Sequence, residues 1–179
     1  YRDYKEQWKE IVETVAAEEH RTTQMVEKDT IQSMILSSIS QSDLPFAFKG
    51  GTSLSKAYGL IDRFSEDIDL SMNRKPTEGE KKQTKNLILN LAEKLGMIVT
   101  NPEDIQSRHS YNKYVFKYES LFSEAPLELI IETSFYQDVY PAENHEVYSF
   151  VGRFCEKNGI TLPIPFDEAK ISMQVQSLE

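Results

Sequence analysis

Between Phe48 and Leu70 the chain reads FKGGTSLSKAYGLIDRFSEDIDL, and this stretch holds most of its potential for chemistry. Gly50-Gly51 follows a short apolar run and precedes a helical pattern. Glycines let a backbone come close to a phosphate, and free N–H groups at a helix start attract anions. Thr52 and Ser53 add hydroxyls at the same point, and Lys56 stands one helical turn further on. Asp67-Ile68-Asp69 then puts two carboxylates on one side of an extended segment, about 6.6 Å apart between Cα atoms. Paired carboxylates repel unless a cation lies between them, and hard oxygen ligands suit Mg²⁺ shared with phosphates. A third acid is expected on an apolar strand. Glu128 and Glu132 both qualify, four residues apart and on one strand face. A carboxylate beside Leu129-Ile130-Ile131 calls for a partner charge or a metal.

Each device alone has a plainer reading. Gly-Gly after a strand is usually a tight turn, and Asp-x-Asp is usually a solvated edge. The loop is not a P-loop, because no glycine stands immediately before Lys56 as G-x-x-x-x-G-K-[ST] requires. The order of strand, Gly-Gly, helix, acid-x-acid strand and acidic strand favours the functional reading.

Positioning these groups requires the following elements. Helices are predicted from Tyr4 to Ala17, with Trp8, Ile11, Val12 and Val15 inward, and from Thr22 to Ser40. The second presents Met25, Val26, Ile31, Met34, Ile35 and Ile39 on its apolar face. Phe46 to Lys49 reads as a strand, and Thr52 to Leu60 as a helix capped by Thr52 or Ser53. Asp67 to Met72 is a strand. Thr77 caps a helix to about Leu95, with Leu87, Ile88, Leu91 and Leu95 buried and Gly96 as its stop. Met97 to Val99, Lys113 to Tyr118, Pro126 to Phe135 and Ala169 to Gln176 read as strands. His145 to Lys157 reads as a helix stopped by Asn158-Gly159.

The same residues resemble the nucleotidyltransferase superfamily with the DNA polymerase beta-like catalytic fold. Within it the chain is similar to the AbiEii/AbiGii toxin family. Val26-Glu27-Lys28-Asp29 resembles that family's motif on the helix before the core. Phe48 to Tyr58 resembles its nucleotide loop, and Arg63 to Leu70 its metal strand. The likeness runs from about Glu19 onward. It implies an α+β fold, with a mixed β-sheet flanked by helices and the N-terminal helices packed on the core. It implies that Gly50, Gly51, Thr52 and Ser53 hold a triphosphate, with Lys56 and Arg63 assisting. Asp67 and Asp69 would ligate Mg²⁺. Glu132, within Ile131-Glu132-Thr133-Ser134-Phe135, resembles the family's third acid better than Glu128 does. The implied activity is transfer of a nucleoside monophosphate from an NTP to a hydroxyl of tRNA or protein. The implied setting is a toxin–antitoxin or abortive-infection system with a cognate antitoxin. The family continues into a helical region carrying a lysine and an aspartate. Residues 1–179 are therefore expected to form a single catalytic domain, truncated before that region.

Composition frames the alternatives. The 179 residues suit one domain. Twenty Lys and Arg against 29 Asp and Glu leave a net charge of −9, which disfavours a general nucleic-acid coat protein. That balance suits a cationic acceptor, such as an aminoglycoside-like molecule. A nucleotide-binding module without turnover is the rival from another class. Arg74 and Lys75 are candidates for an acceptor's phosphate. The single cysteine, Cys155, excludes an internal disulfide and is expected in the core. The histidines lack zinc spacing. No apolar run approaches the roughly 20 residues of a membrane span, and no signal-peptide pattern opens the chain. The expected location is the cytoplasm, with no membrane partner.

Overall fold

The computed structural model describes residues 2–61, 64–103, 105, 110–135, 140–161 and 170–178. In chain order the elements are α1 (Lys5–Glu18), α2 (Thr23–Ser40), β1 (Phe46–Lys49), α3 (Gly50–Lys56), β2 (Asp67–Met72) and α4 (Glu78–Lys94). They are followed by β3 (Ile98–Val99), β4 (Tyr111–Tyr118), β5 (Leu127–Ser134), β6 (Ala142–Tyr148), α5 (Phe150–Asn158) and β7 (Lys170–Gln176). The fold is α+β, around one seven-stranded mixed sheet in the order β3-β4-β5-β2-β1-β7-β6. The pairs β2–β5 and β1–β7 are parallel, and the remaining neighbours are antiparallel.

Strand alternation divides the sheet into two faces. One carries Phe46, Phe48, Ile68, Leu70, Tyr114, Phe116, Leu129 and Ile131, all buried. These side chains pack with Ile31, Ile35, Leu36 and Ile39 of α2 and Ile88, Leu91 and Ala92 of α4. Each fully buried side chain of this kind contributes roughly 1.5–3 kcal/mol. A second cluster joins α1, α2 and α5 through Trp8, Val12, Val15, Val26, Val151 and Cys155. Cys155 therefore lies in the core, as expected.

Helix α2 lies between these two clusters and is buried on most sides, rather than along one stripe. Met25, expected inward, is 37% exposed, while Glu27, Asp29 and Gln32 are buried. Their polar atoms are engaged, except the Gln32 carbonyl oxygen, which has no hydrogen-bond partner among the described residues. Glu27 accepts from Ser120 Oγ at 2.5 Å and from the Leu121 N–H at 2.7 Å. The Gln32 amide donates to the carbonyls of Ser65 and Glu66, at 3.2 and 3.0 Å. Lys28 reaches Glu66 at 3.3 Å. Helix α2 thus grips the segment that leads straight into Asp67.

Two predicted elements need correction. His145 to Lys157 is not one helix: Ala142–Tyr148 is the edge strand β6, and the helix begins after Ser149. The Ser149 hydroxyl caps it by accepting from the Gly152 N–H at 2.8 Å. The expected stop holds, with Gly159 at φ +62°. Helix α3 starts at Gly50 and ends at Lys56, short of Leu60, and neither Thr52 nor Ser53 caps it. Helix α4 starts as expected. Thr77 and Glu80 form a reciprocal capping box. Arg74 grips Glu80 through two bonds of 3.1 and 2.6 Å, so its guanidinium is committed to this helix start. Those contacts hold the Glu80 carboxyl down at about 2. Inside α4, Ile88 and Leu91 are buried as expected, whereas Leu87 and Leu95 are half-buried.

Candidate active site

The half-open face of the sheet carries a cross-strand row of charges. Lys49 on β1 stands opposite Asp69 on β2. Asp69 stands opposite Glu132 on β5, and Glu132 opposite Lys113 on β4. Directly opposed residues share a face, so the row reads plus, minus, minus, plus. Asp67 is two residues before Asp69 and shares its face. Glu128 stands opposite Lys117, is exposed, and lies beyond the point where β5 meets Asp67. The register therefore brings Glu132, not Glu128, beside the aspartates.

Electrostatics in this row is unfavourable to the carboxylates. Burial, and then the charge of Glu132, push the Asp69 carboxyl above its ordinary value, against the pull of Lys49. Burial also raises Asp67; Lys28 and Lys113 lower it while Glu132 raises it further. Burial and mutual repulsion disfavour the charged carboxylates, and their donors are hard oxygens. That combination fits a divalent cation. Among the described residues no three acidic, histidine or cysteine side chains converge into a ready-made cage. The carboxylates share a face rather than a common point.

The glycine loop abuts this row. Gly50 has φ +76°, and a Cβ built on it would fall 2.2 Å from Asp69 Oδ2. Only glycine leaves the aspartate that space. The hydroxyls expected to face a phosphate are used internally. Thr52 Oγ1 donates to the Asp67 carbonyl, and Ser53 Oγ donates to the Gly50 carbonyl at 2.8 Å. Both residues are buried. Thr52 thereby ties the loop to the start of β2.

Lys56 sits elsewhere than its helical spacing implied. Its ammonium is buried and ion-paired with Asp29 of α2. It also donates to Ser33 Oγ at 2.9 Å and to the Asp29 carbonyl at 3.2 Å. Asp29 in turn accepts from the Phe150 N–H at 2.8 Å. Lys56 therefore fastens α3 to α2 and α5, and is not among the groups brought to the acid row. Arg63 lies outside the described residues.

The lysines around the acids escaped sequence reasoning. Lys49 donates to Ser134 Oγ at 3.3 Å, and Lys113 stands 3.6 Å from Glu132. The sequence marked Lys113 only as the start of a strand, and the register puts it opposite Glu132.

A strand leading through a glycine turn to a helix, with acids on two adjacent central strands, defines a nucleotidyltransferase-type fold. A proposed nucleotidyltransferase from H. pylori, solved by crystallography, is similar at TM-score 0.54 and 19% identity, over 88% of this chain and 55% of that one. JHP933 from Helicobacter pylori gives a TM-score of 0.47 and 25% identity, over 65% of this chain and 46% of that one. The chain thus spans about half the length of these solved structures. A search of curated proteins gives no match. The family model of the nucleotidyl transferase AbiEii toxin, type IV toxin–antitoxin system, matches residues 35–179, and the chain belongs to that family.

Proposed function

We propose that the whole protein transfers a nucleoside monophosphate from an NTP to an acceptor hydroxyl, as the toxin of a toxin–antitoxin or abortive-infection pair. The observation that carries this reading is the direct opposition of Asp69 and Glu132, with Asp67 alongside and Gly50 packed against Asp69. Asp67, Asp69 and Glu132 would hold Mg²⁺, which supplies positive charge at the phosphates and activates the hydroxyl. The backbone of Gly50, Gly51, Thr52 and Ser53 receives the triphosphate. The acceptor oxygen bonds to the α-phosphorus, the bond to pyrophosphate breaks, and Glu132 takes the hydroxyl proton. Lys56 supports the loop from the side facing α2. The acceptor is tRNA or protein, met in the cytoplasm, and a cognate antitoxin restrains the reaction. No helix among the described residues is long and apolar enough to cross a membrane.

The net charge of −9 favours a second acceptor class, a cationic small molecule such as an aminoglycoside. Full-length protein, offered each labelled NTP with Mg²⁺ and separate pools of tRNA, protein and aminoglycoside, is expected to label tRNA or protein. Label in the aminoglycoside alone would favour the second reading. No label in any pool, with the triphosphate still bound, would leave a nucleotide-binding module.

Gly50→Ala tests the loop. A side chain there is strained by roughly 1–2 kcal/mol and displaces the Asp69 carboxylate. Labelling is expected to fall about 100-fold while the protein stays folded by circular dichroism. Wild-type turnover would show that Asp69 need not stay where Gly50 leaves it.

A further inference from the structure

Three lysines from separate elements surround the three acids. Lys28 comes from α2, Lys49 from the end of β1 and Lys113 from the middle of β4. They are held differently. Lys28 is 12% exposed and lies against Glu66. Lys49 is anchored on the buried Ser134 hydroxyl. Lys113 has only a loose contact: its ammonium stands 3.6 Å from Glu132, and its side chain is 41% exposed. A pair this long and this open is worth little, so moving the ammonium costs little.

A divalent cation taken up by Glu132 repels an ammonium at that distance. The exposed lysine stem has rotamer freedom and open solvent in front of it. A triphosphate arriving with the cation offers it new acceptors on the same face. We propose that Lys113 is a displaceable counter-ion: it balances Glu132 before the cation arrives, then turns to the phosphates of the incoming nucleotide. The positive charge that helical spacing assigned to Lys56 is thus supplied from the opposite side of the row. Lys113 is then a substrate-binding residue. This inference rests on the nucleotidyltransferase reading above.

The test separates the two roles with base-independent probes. Mn²⁺ alone is titrated by electron paramagnetic resonance, and inorganic triphosphate in saturating Mg²⁺ by calorimetry. Lys113→Met removes the competing charge, so Mn²⁺ is expected to bind about 5-fold tighter. That factor is what the Lys113–Glu132 pair given up on metal binding is worth, two unit charges about 4 Å apart in bulk water, at the upper end for an exposed pair. The same variant is expected to bind triphosphate about 5-fold more weakly. Lys113→Arg, which keeps the charge, should stay within about 3-fold of wild type in both titrations. The opposite movement of the two affinities is the signature, because a merely structural lysine would not produce it. Unchanged triphosphate affinity in Lys113→Met, or unchanged Mn²⁺ affinity, would overturn the inference while leaving the metal site intact. A wild-type protein that binds neither probe would overturn the nucleotidyltransferase reading itself, and this inference with it.

Discussion

Lys56→Met is expected to destabilise the protein by about 3–5 kcal/mol, because it leaves Asp29 buried without its counter-charge. A domain of this size has only about 5–15 kcal/mol to lose. Both partners are almost fully enclosed, at 4% and 5% side-chain exposure. Burial draws the Lys56 ammonium below its ordinary value, and Asp29 pulls it back up. The loss alone does not separate a structural lysine from a catalytic one. The double variant Lys56→Met/Asp29→Asn does. Asparagine still accepts from the Phe150 N–H, and no charge is left buried. Urea denaturation is expected to show most of the stability restored, a coupling above about 2 kcal/mol. Labelling by the double variant should then lie within about 10-fold of wild type. A stable double variant with no transfer would mean that the ammonium itself acts on the phosphates.

Asp69→Asn is expected to do the reverse: raise stability and abolish function. The Asp69 carboxyl is raised in the folded protein, first by burial and then by Glu132. A raised carboxyl contributes stability that is fully present below its unfolded value, near 3.8, and lost as pH rises through the folded value. Above the folded value the unfavourable charge is in place, and asparagine removes it. In metal-free buffer, Asp69→Asn should therefore melt higher than wild type. Wild type should gain Tm on adding Mg²⁺, by ligand linkage, and the variant should not. Transfer should fall by at least about 100-fold. A variant that melts lower without metal, or that Mg²⁺ stabilises as much as wild type, would remove Asp69 from the metal assignment.

What the sequence disclosed depended on how local each cause was. Phe46 to Lys49 and Asp67 to Met72 were legible to the residue, because apolar alternation and flanking turns are local signals. Strand β6 was not legible. Among Ala142 to Tyr148 only Val147 is fully buried, so the edge strand carries no apolar period for a reader to find. Lys56 and Arg74 have partners that helical spacing does not disclose. Each had an apparent target nearby in sequence, yet each is held by an acid on another element, Asp29 and Glu80. The aspartate pair was legible from strand parity alone. Glu132 was favoured over Glu128 only through the family resemblance; the physical reason is the register between β2 and β5, which no single segment encodes.

The sheet order also sets a timetable for synthesis. β1 finds β2 soon after it emerges, but its other edge waits for β7, where Phe48 meets Val175. On the ribosome, β1 therefore stands with unpaired N–H and C=O groups while the rest of the sheet is still being made. Meanwhile β4, β5 and β2, which carry most of the charge row, can already pair. A nascent chain would thus hold a half-built catalytic face beside an open strand edge. Slow translation between residues 134 and 170 would prolong that exposure.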